Sequence, residues 1–345
     1  MTGGQLMENN NIHVVQRYVP WYSDDYRISS RSTVSGSHNY LALTPVQIRD
    51  ELLKAVIDQD DACKKVAMMV YQHLHGHRFV GMLAGPTGSG KSFIAEKLKD
   101  MFPELVYIRD VSNVTCDGWS GGKKVSTLFS DVPVPDRNSG RIQPIIFLDE
   151  CDKLFSPKIN SGRENVSETV QAEFLTVIHG GELRVPDSDI DRRFSTIDTS
   201  GISFMFAGAF EKTAGQIAEN ESGPMLGFGS SLSKAKSYDR ELTMEDIHEA
   251  GCINELCGRI HRLVNLNPFS EEAFRKILDD HVKGPVHELE EEFGMPIIIS
   301  SERCDEIAHK AYSSGLGIRG MKNSIREYIY DMMWSDSHLK TFEIA

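Results

Sequence analysis

Apolar and polar positions first fall into a helical period at "LTPVQIRDELLKAVIDQ", residues 43–59. Thr44 can cap the first turn and Pro45 suits the first helical position, so a helix is expected from there. A second helix follows, with Ala62, Val66, Val70 and Leu74 on one stripe at a spacing of four. The period then changes. "FVGMLAG" (79–85), "ELVYI" (104–108), "PIIFLDE" (144–150) and "ISFMFAG" (202–208) are short unbroken apolar runs, read as buried strands. Helical segments such as "VSETVQAEFLTVIHG" lie between them. Strands alternating with helices predict a parallel sheet with helices on both faces. After "RLVNLNPFS" the pattern becomes helical again, interrupted only by a short "PIIIS" strand. The expected fold class is α/β, a parallel sheet with flanking helices plus a smaller, mostly helical C-terminal domain. Its boundaries are 1–43 for a polar extension, 44–266 for the large domain and 267–345 for the small one.

Two segments have neither period. Residues 6–43 are polar around an aromatic group at Tyr18, Trp21, Tyr22 and Tyr26, read as an extension packed on the body or a binding arm. The opening "MTGGQ" has the form of an expression-tag remnant and is set aside. The second segment, "AENESGPMLGFGSSLSKAKSYDRE" (218–241), places Leu226 and Phe228 between glycines. A loop longer than about 12–15 residues is usually functional or disordered. Its two apolar side chains are either bait for a partner or an anchor back onto the protein.

Charge narrows the possible partners. Of 345 residues, 37 are Lys or Arg and 50 are Asp or Glu, for a net charge of −13. This argues against the broad basic surface with which a protein displaces counterions from duplex DNA. There is neither an 18-residue apolar run nor a signal-peptide pattern, so a soluble, cytoplasmic protein without a membrane partner is expected. Cys63, Cys116, Cys151, Cys252, Cys257 and Cys304 form no C-x-x-C pair and read as reduced thiols. His73, His75 and His77 close a helix, where they complement its dipole better than they would bind a metal.

The chemistry is concentrated in "GPTGSGKS", residues Gly85, Pro86, Thr87, Gly88, Ser89, Gly90, Lys91 and Ser92. Glycines let backbone N–H groups wrap phosphates, Lys91 neutralises their charge, and Ser92 offers a hydroxyl to Mg²⁺. The motif follows a strand and opens a helix, as it must. "IIFLDE" adds the second half, with Asp149 placed to hold Mg²⁺ through water and Glu150 to polarise the attacking water. Together they predict a P-loop hydrolase of nucleoside triphosphates. No N-K-x-D motif stands where a GTPase would read guanine.

In that setting "DECDK", "DGWSGGKKV", "FAGAF", "LGFG", "NELCGRI" and "GIRGMK" occur in the order found in AAA+ protein unfoldases of the ClpX type. The chain resembles that family over roughly residues 44–335. The resemblance implies ATP with Mg²⁺ as cofactors, and Val56 and Ile57 of "AVIDQ" against the adenine. It implies Arg259 as an arginine finger offered to the neighbouring subunit, and Arg319 as a second sensor on the same nucleotide. Gly118, Trp119, Ser120 and Gly121 correspond to the aromatic pore loop, and Leu226, Gly227 and Phe228 to the loop that docks a ClpP-type peptidase. The expected assembly is a homo-hexamer that threads protein substrates through its pore.

The chain also departs from the family. On this resemblance the N-terminal zinc-binding domain is expected to be missing, Trp119 stands for the usual Tyr, and the basic substrate-contacting loop is reduced to Arg192 and Arg193. "RENVSE" (163–168) matches a second pore loop weakly. Two rival readings stand at this stage: a chaperone that disassembles complexes without a peptidase, and an AAA+ nucleic-acid loader, which the net charge and the aromatic pore loop disfavour.

Overall fold

In the computed structural model, which describes residues 40–116, 122–159, 165–186, 193–215, 240–279, 284–335 and 339–344, the first α-helix opens with a capping box. Thr44 Oγ1 accepts from Gln47 N–H at 3.2 Å, and Gln47 Oε1 accepts from Thr44 N–H at 2.8 Å. Two amides that the helix start would orphan are thereby satisfied, and Pro45 needs none at the first position of α1 (Pro45–Leu53). α2 (Asp60–Leu74) buries Ala62, Val66, Val70 and Leu74, the predicted stripe.

The chain continues through β1 (Val80–Ala84), α3 (Lys91–Met101), β2 (Val106–Asp110), the two-residue strands β3 (Val114–Thr115) and β4 (Lys123–Lys124), and β5 (Ile145–Asp149). Next come α4 (Cys151–Phe155), α5 (Val166–His179), the antiparallel pair β6 (Glu182–Pro186) and β7 (Phe194–Asp198), and β8 (Ser203–Gly208). α6 (Met244–Glu249), α7 (Asn254–Cys257) and β9 (Arg262–Asn265) complete the large part.

The main sheet has the order β2-β5-β8-β1-β9 and every pairing in it is parallel. Its central strands β5, β8 and β1 are apolar on both faces because both faces are covered. Alternate residues divide between two cores. Met82, Ile146, Leu148, Phe204 and Phe206 point into one, while Leu83, Ile145, Phe147, Met205 and Ala207 join α1, α2 and α3 in the other. Truncating a ring as enclosed as Phe206 would cost about 3–5 kcal/mol.

A third core belongs to the C-terminal part: α8 (Glu271–Asp279), α9 (Pro285–Phe293), β10 (Ile297–Ile299), α10 (Ser301–Ser314), α11 (Gly317–Ser335) and β11 (Phe342–Ile344). It begins at Phe269, and β10 pairs in parallel with β11.

Four features differ from the expected pattern. β2 starts at Val106, because the amides of Leu105 and Val106 both turn back to Phe102 O after α3. Between β2 and β5 the described residues form short strands and 3₁₀ turns, in a segment that its prolines and glycine keep from becoming a helix. "RLVN", not among the apolar runs read as strands, is an edge strand of the sheet. The chain's last apolar residues, Phe342 and Ile344, are buried in β11.

Among the described residues no helix is long and apolar enough to cross a membrane, and no group of three His, Cys, Asp or Glu is placed to hold a metal. His73 is instead a core residue. Its Nε2–H donates to Gln143 O at 2.6 Å, and its Nδ1 accepts from the Ser203 hydroxyl at 2.7 Å. All six cysteines are free.

Candidate active site

Because β1 and β5 run parallel on either side of β8, their C-terminal ends open at the same edge of the sheet. The loop after β1 carries "GPTGSGKS" and the end of β5 carries Asp149. The first turn of α3 brings Ser92 across, and its hydroxyl donates to Asp149 Oδ2 at 2.7 Å. A hydroxyl and a carboxylate in contact at a strand end form a hard-oxygen pair that suits Mg²⁺.

Lys91 is only 7% exposed. Its ammonium donates to Gly85 O at 2.6 Å and Pro86 O at 2.8 Å. Burial pulls the Lys91 pKa down to about 8, partly opposed by the carboxylates of Asp149 and Asp152. A buried cation beside a Gly-rich turn is the arrangement an incoming anion would relieve. Gly90 caps α3 with φ 96°, and the first helical amide after it, Ile94 N–H, donates to Gly90 O at 2.9 Å. Ser89 N–H closes onto Pro86 O at 3.2 Å, and Thr87 N–H donates to Glu211 Oε1 at 3.3 Å.

Glu150 follows Asp149 in a left-handed conformation, φ 61°. A non-glycine residue held there is a strained turn of the kind found at functional sites. The turn aims Glu150 N–H at Asp149 Oδ1 (2.9 Å) and its carboxylate at Lys153 Nζ (2.5 Å). Glu150 remains partly exposed, open to solvent at the strand end.

Val56 and Ile57 sit where the cores meet. Val56 is buried with the large part, and Ile57 packs on the small one. Arg319 is exposed in the first turn of α11, two residues after Gly317, whose backbone abuts Gly88 of the phosphate loop. The structure therefore brings together the 85–92 loop, Asp149 with Glu150 beside it, and the start of α11.

Arg259 stands elsewhere. Its guanidinium donates to His179 Nδ1 at 3.1 Å, at the rim of a cavity of about 660 Å³ between α5 and α7. The cavity is lined by Leu175, Thr176, His179, Gly180, Glu255, Gly258 and Arg259, none of them from the phosphate loop or β5. Gly118, Trp119, Ser120 and Gly121, and likewise Leu226, Gly227 and Phe228, lie outside the described residues.

Three contacts at these sites had no signal in the sequence: Gln59 bonded to the phosphate loop, Glu211 on the amide of Thr87, and His179 on Arg259. Each is an ordinary polar residue made significant by a partner far away in the chain.

A family model for the AAA domain (Cdc48 subfamily) matches residues 78–263, from just before β1 into β9. The chain is also similar to ATP-dependent Clp protease ATP-binding subunits named ClpX. That of Porphyromonas gingivalis is 26% identical over 318 residues, covering 84% of this chain and 77% of the relative. That of Bacteroides fragilis is 27% identical over 317 residues, covering 84% and 76%. That of Borrelia duttonii is 28% identical over 323 residues, covering 84% and 74%.

Proposed function

The chain belongs to the AAA domain family (Cdc48 subfamily) and is a nucleotide-binding ATPase, an unfoldase of the ClpX type; on that premise we propose that it works as a homo-hexameric ring. The ring would use ATP with Mg²⁺ to thread protein substrates through its centre and deliver them to a ClpP-type peptidase in the cytoplasm. The observation that carries the nucleotide chemistry is the Ser92–Asp149 contact of 2.7 Å beside the buried Lys91.

The residues present fit that cofactor. Bound MgATP supplies a phosphoryl group whose transfer to water is strongly downhill. The amides of the 85–92 loop and the Lys91 ammonium hold and neutralise phosphate oxygens. Ser92 and Asp149 offer the hard oxygen ligands that Mg²⁺ takes, the carboxylate acting through water. Glu150 accepts a proton from the attacking water at its carboxylate. Val56 and Ile57 would flank the base, and Arg319 would approach the same nucleotide from the first turn of α11. Arg259 has no nucleotide loop in its own cavity, which supports a role toward the neighbouring subunit. There its charge would stabilise the transferring phosphoryl group. Together Lys91, Asp149, Glu150, Arg259 and Arg319 make up the proposed catalytic set.

Trp119, flanked by Gly118, Ser120 and Gly121, is the proposed gripping residue. Leu226, Gly227 and Phe228 are the proposed peptidase-docking tip. Each buried apolar anchor is worth about 1.5–3 kcal/mol, so one loop is weak and several on a ring are tight. The test measures ATPase, unfolding of a folded protein and ClpP-dependent degradation together. Trp119→Ala should lose unfolding while it keeps ATPase, and Phe228→Ala should lose degradation alone. Degradation by Phe228→Ala at the wild-type level would remove the peptidase from the proposal.

A further inference from the structure

Gln59 is 3% exposed and every polar atom of its side chain is used. Nε2 donates to Asn267 O at 2.8 Å and to Ser89 O at 3.3 Å, while Oε1 accepts from Asn267 N–H at 3.2 Å. Ser89 lies in the phosphate loop and Asn267 in the connector between β9 and α8, and Gln59 itself precedes α2. One buried amide thus joins three segments that are distant in the chain.

Its neighbours divide between the same bodies. Val56 packs with the large part and Ile57 with the small one. The Asp58 carboxylate faces Ser270 Oγ at 3.5 Å and Lys276 Nζ at 3.6 Å, both in the small part. The connector also touches the phosphate loop directly. Leu266 N–H donates to Ala84 O at 2.7 Å, and Leu266 O lies so near Gly85 that a Cβ there would come within 2.6 Å. The phosphate loop cannot shift without carrying the connector or leaving buried amide groups unpaired, which is the costly alternative.

We propose that Gln59 is the positioning residue that couples the phosphate loop to the connector at Asn267, so that filling the loop re-angles the small core against the large one. The proposal rests on the nucleotide-site reading above. A ligand shifts such an equilibrium only through contacts that differ between its states. Gln59 supplies that difference, because its donor reads the loop carbonyl of Ser89 and both its ends hold Asn267.

The test uses the full chain with spin labels on p-acetylphenylalanine at positions 99 and 302, exposed sites on α3 and α10. Inter-label distance is read with and without a non-hydrolysable ATP analogue, and binding is read separately with a fluorescent ATP analogue. Wild type should bind and shift its distance distribution. Gln59→Met, which keeps length and apolar bulk, should bind the nucleotide yet lose most of the shift. Gln59→Glu keeps the acceptor but sets a carboxylate against two carbonyl oxygens, and should lose the shift too. A full-size shift in both variants, even with lowered thermal stability, would reduce Gln59 to a packing role and overturn the proposal. A wild type that binds nucleotide without a shift would also overturn it. No binding by wild type would instead overturn the nucleotide-site reading itself.

Discussion

Gly88 and Gly317 lie backbone to backbone: a Cβ on either would fall 2.9 Å from the Cα of the other, and their φ angles are 78° and 60°. Only glycine accepts both the positive φ and the approach. The contact sets the first turn of α11, and Arg319 with it, against the phosphate loop. An L side chain at such a φ costs about 1–2 kcal/mol before any clash. Gly317→Ala should therefore weaken nucleotide binding by roughly tenfold, although position 317 lies in the small core. Isothermal titration with an ATP analogue measures it, and unchanged affinity would make the contact incidental.

Glu150 emerges beside Asp149 but takes no part in the Ser92 contact. Metal binding and water activation should then separate. Glu150→Gln should retain nucleotide and lose turnover by about 10²–10⁴-fold, the usual reach of a general base. Lys91→Ala should weaken binding itself. Steady-state ATPase assays with parallel binding measurements decide, and wild-type turnover in Glu150→Gln would assign the base elsewhere.

Arg259 donates to His179 beside a cavity to which its own phosphate loop contributes no residue. Arg259→Ala should fold and bind ATP while its ATPase falls by as much as ~10³–10⁵, the range seen for a missing arginine finger. Mixing it with Glu150→Gln subunits should recover activity, since a mixed interface can hold one intact pair. If no mixing ratio rescues, Arg259 acts within its own subunit.

Burial lowers the His73 pKa to about 4, opposed only by its hydrogen bond to Gln143 O. The unfolded chain, with an ordinary histidine near 6.5, binds this proton more readily than the folded one. Stability is therefore full above about pH 6.5 and falls as pH drops toward 4, by on the order of 3 kcal/mol in all. Thermal melts between pH 7.5 and 4.5 should show this slope, and His73→Gln should be less stable at pH 7.5 yet flatter. An equal slope in the variant would place the titration on another group.

Much of this was legible in the residues alone. The Thr44 cap with Pro45 after it, the stripe of α2 and the apolar runs of β1, β5 and β8 are short-range signals. They arise from side chains within a few positions of one another, which constrain the backbone wherever the rest of the chain goes. The same holds for "GPTGSGKS" and for Asp149 and Glu150 at a strand end, where spacing itself carries the chemistry.

What only the tertiary structure decided depends on partners distant in sequence. "RLVN" is not among the apolar runs read as strands and becomes a strand because β1 offers it an edge. Phe342 and Ile344 form β11 because β10 is there to pair with them. The Gly88–Gly317 contact, the His179–Arg259 bond and the three-way hold of Gln59 on Ser89 and Asn267 leave no local pattern. A glycine, a histidine or a glutamine suits many surroundings equally well until the fold chooses its neighbour. Sequence thus determined the local elements and the phosphate chemistry, while the meeting of the phosphate loop, connector and small core was decided by long-range packing, whose energy exists only once the chain has closed on itself.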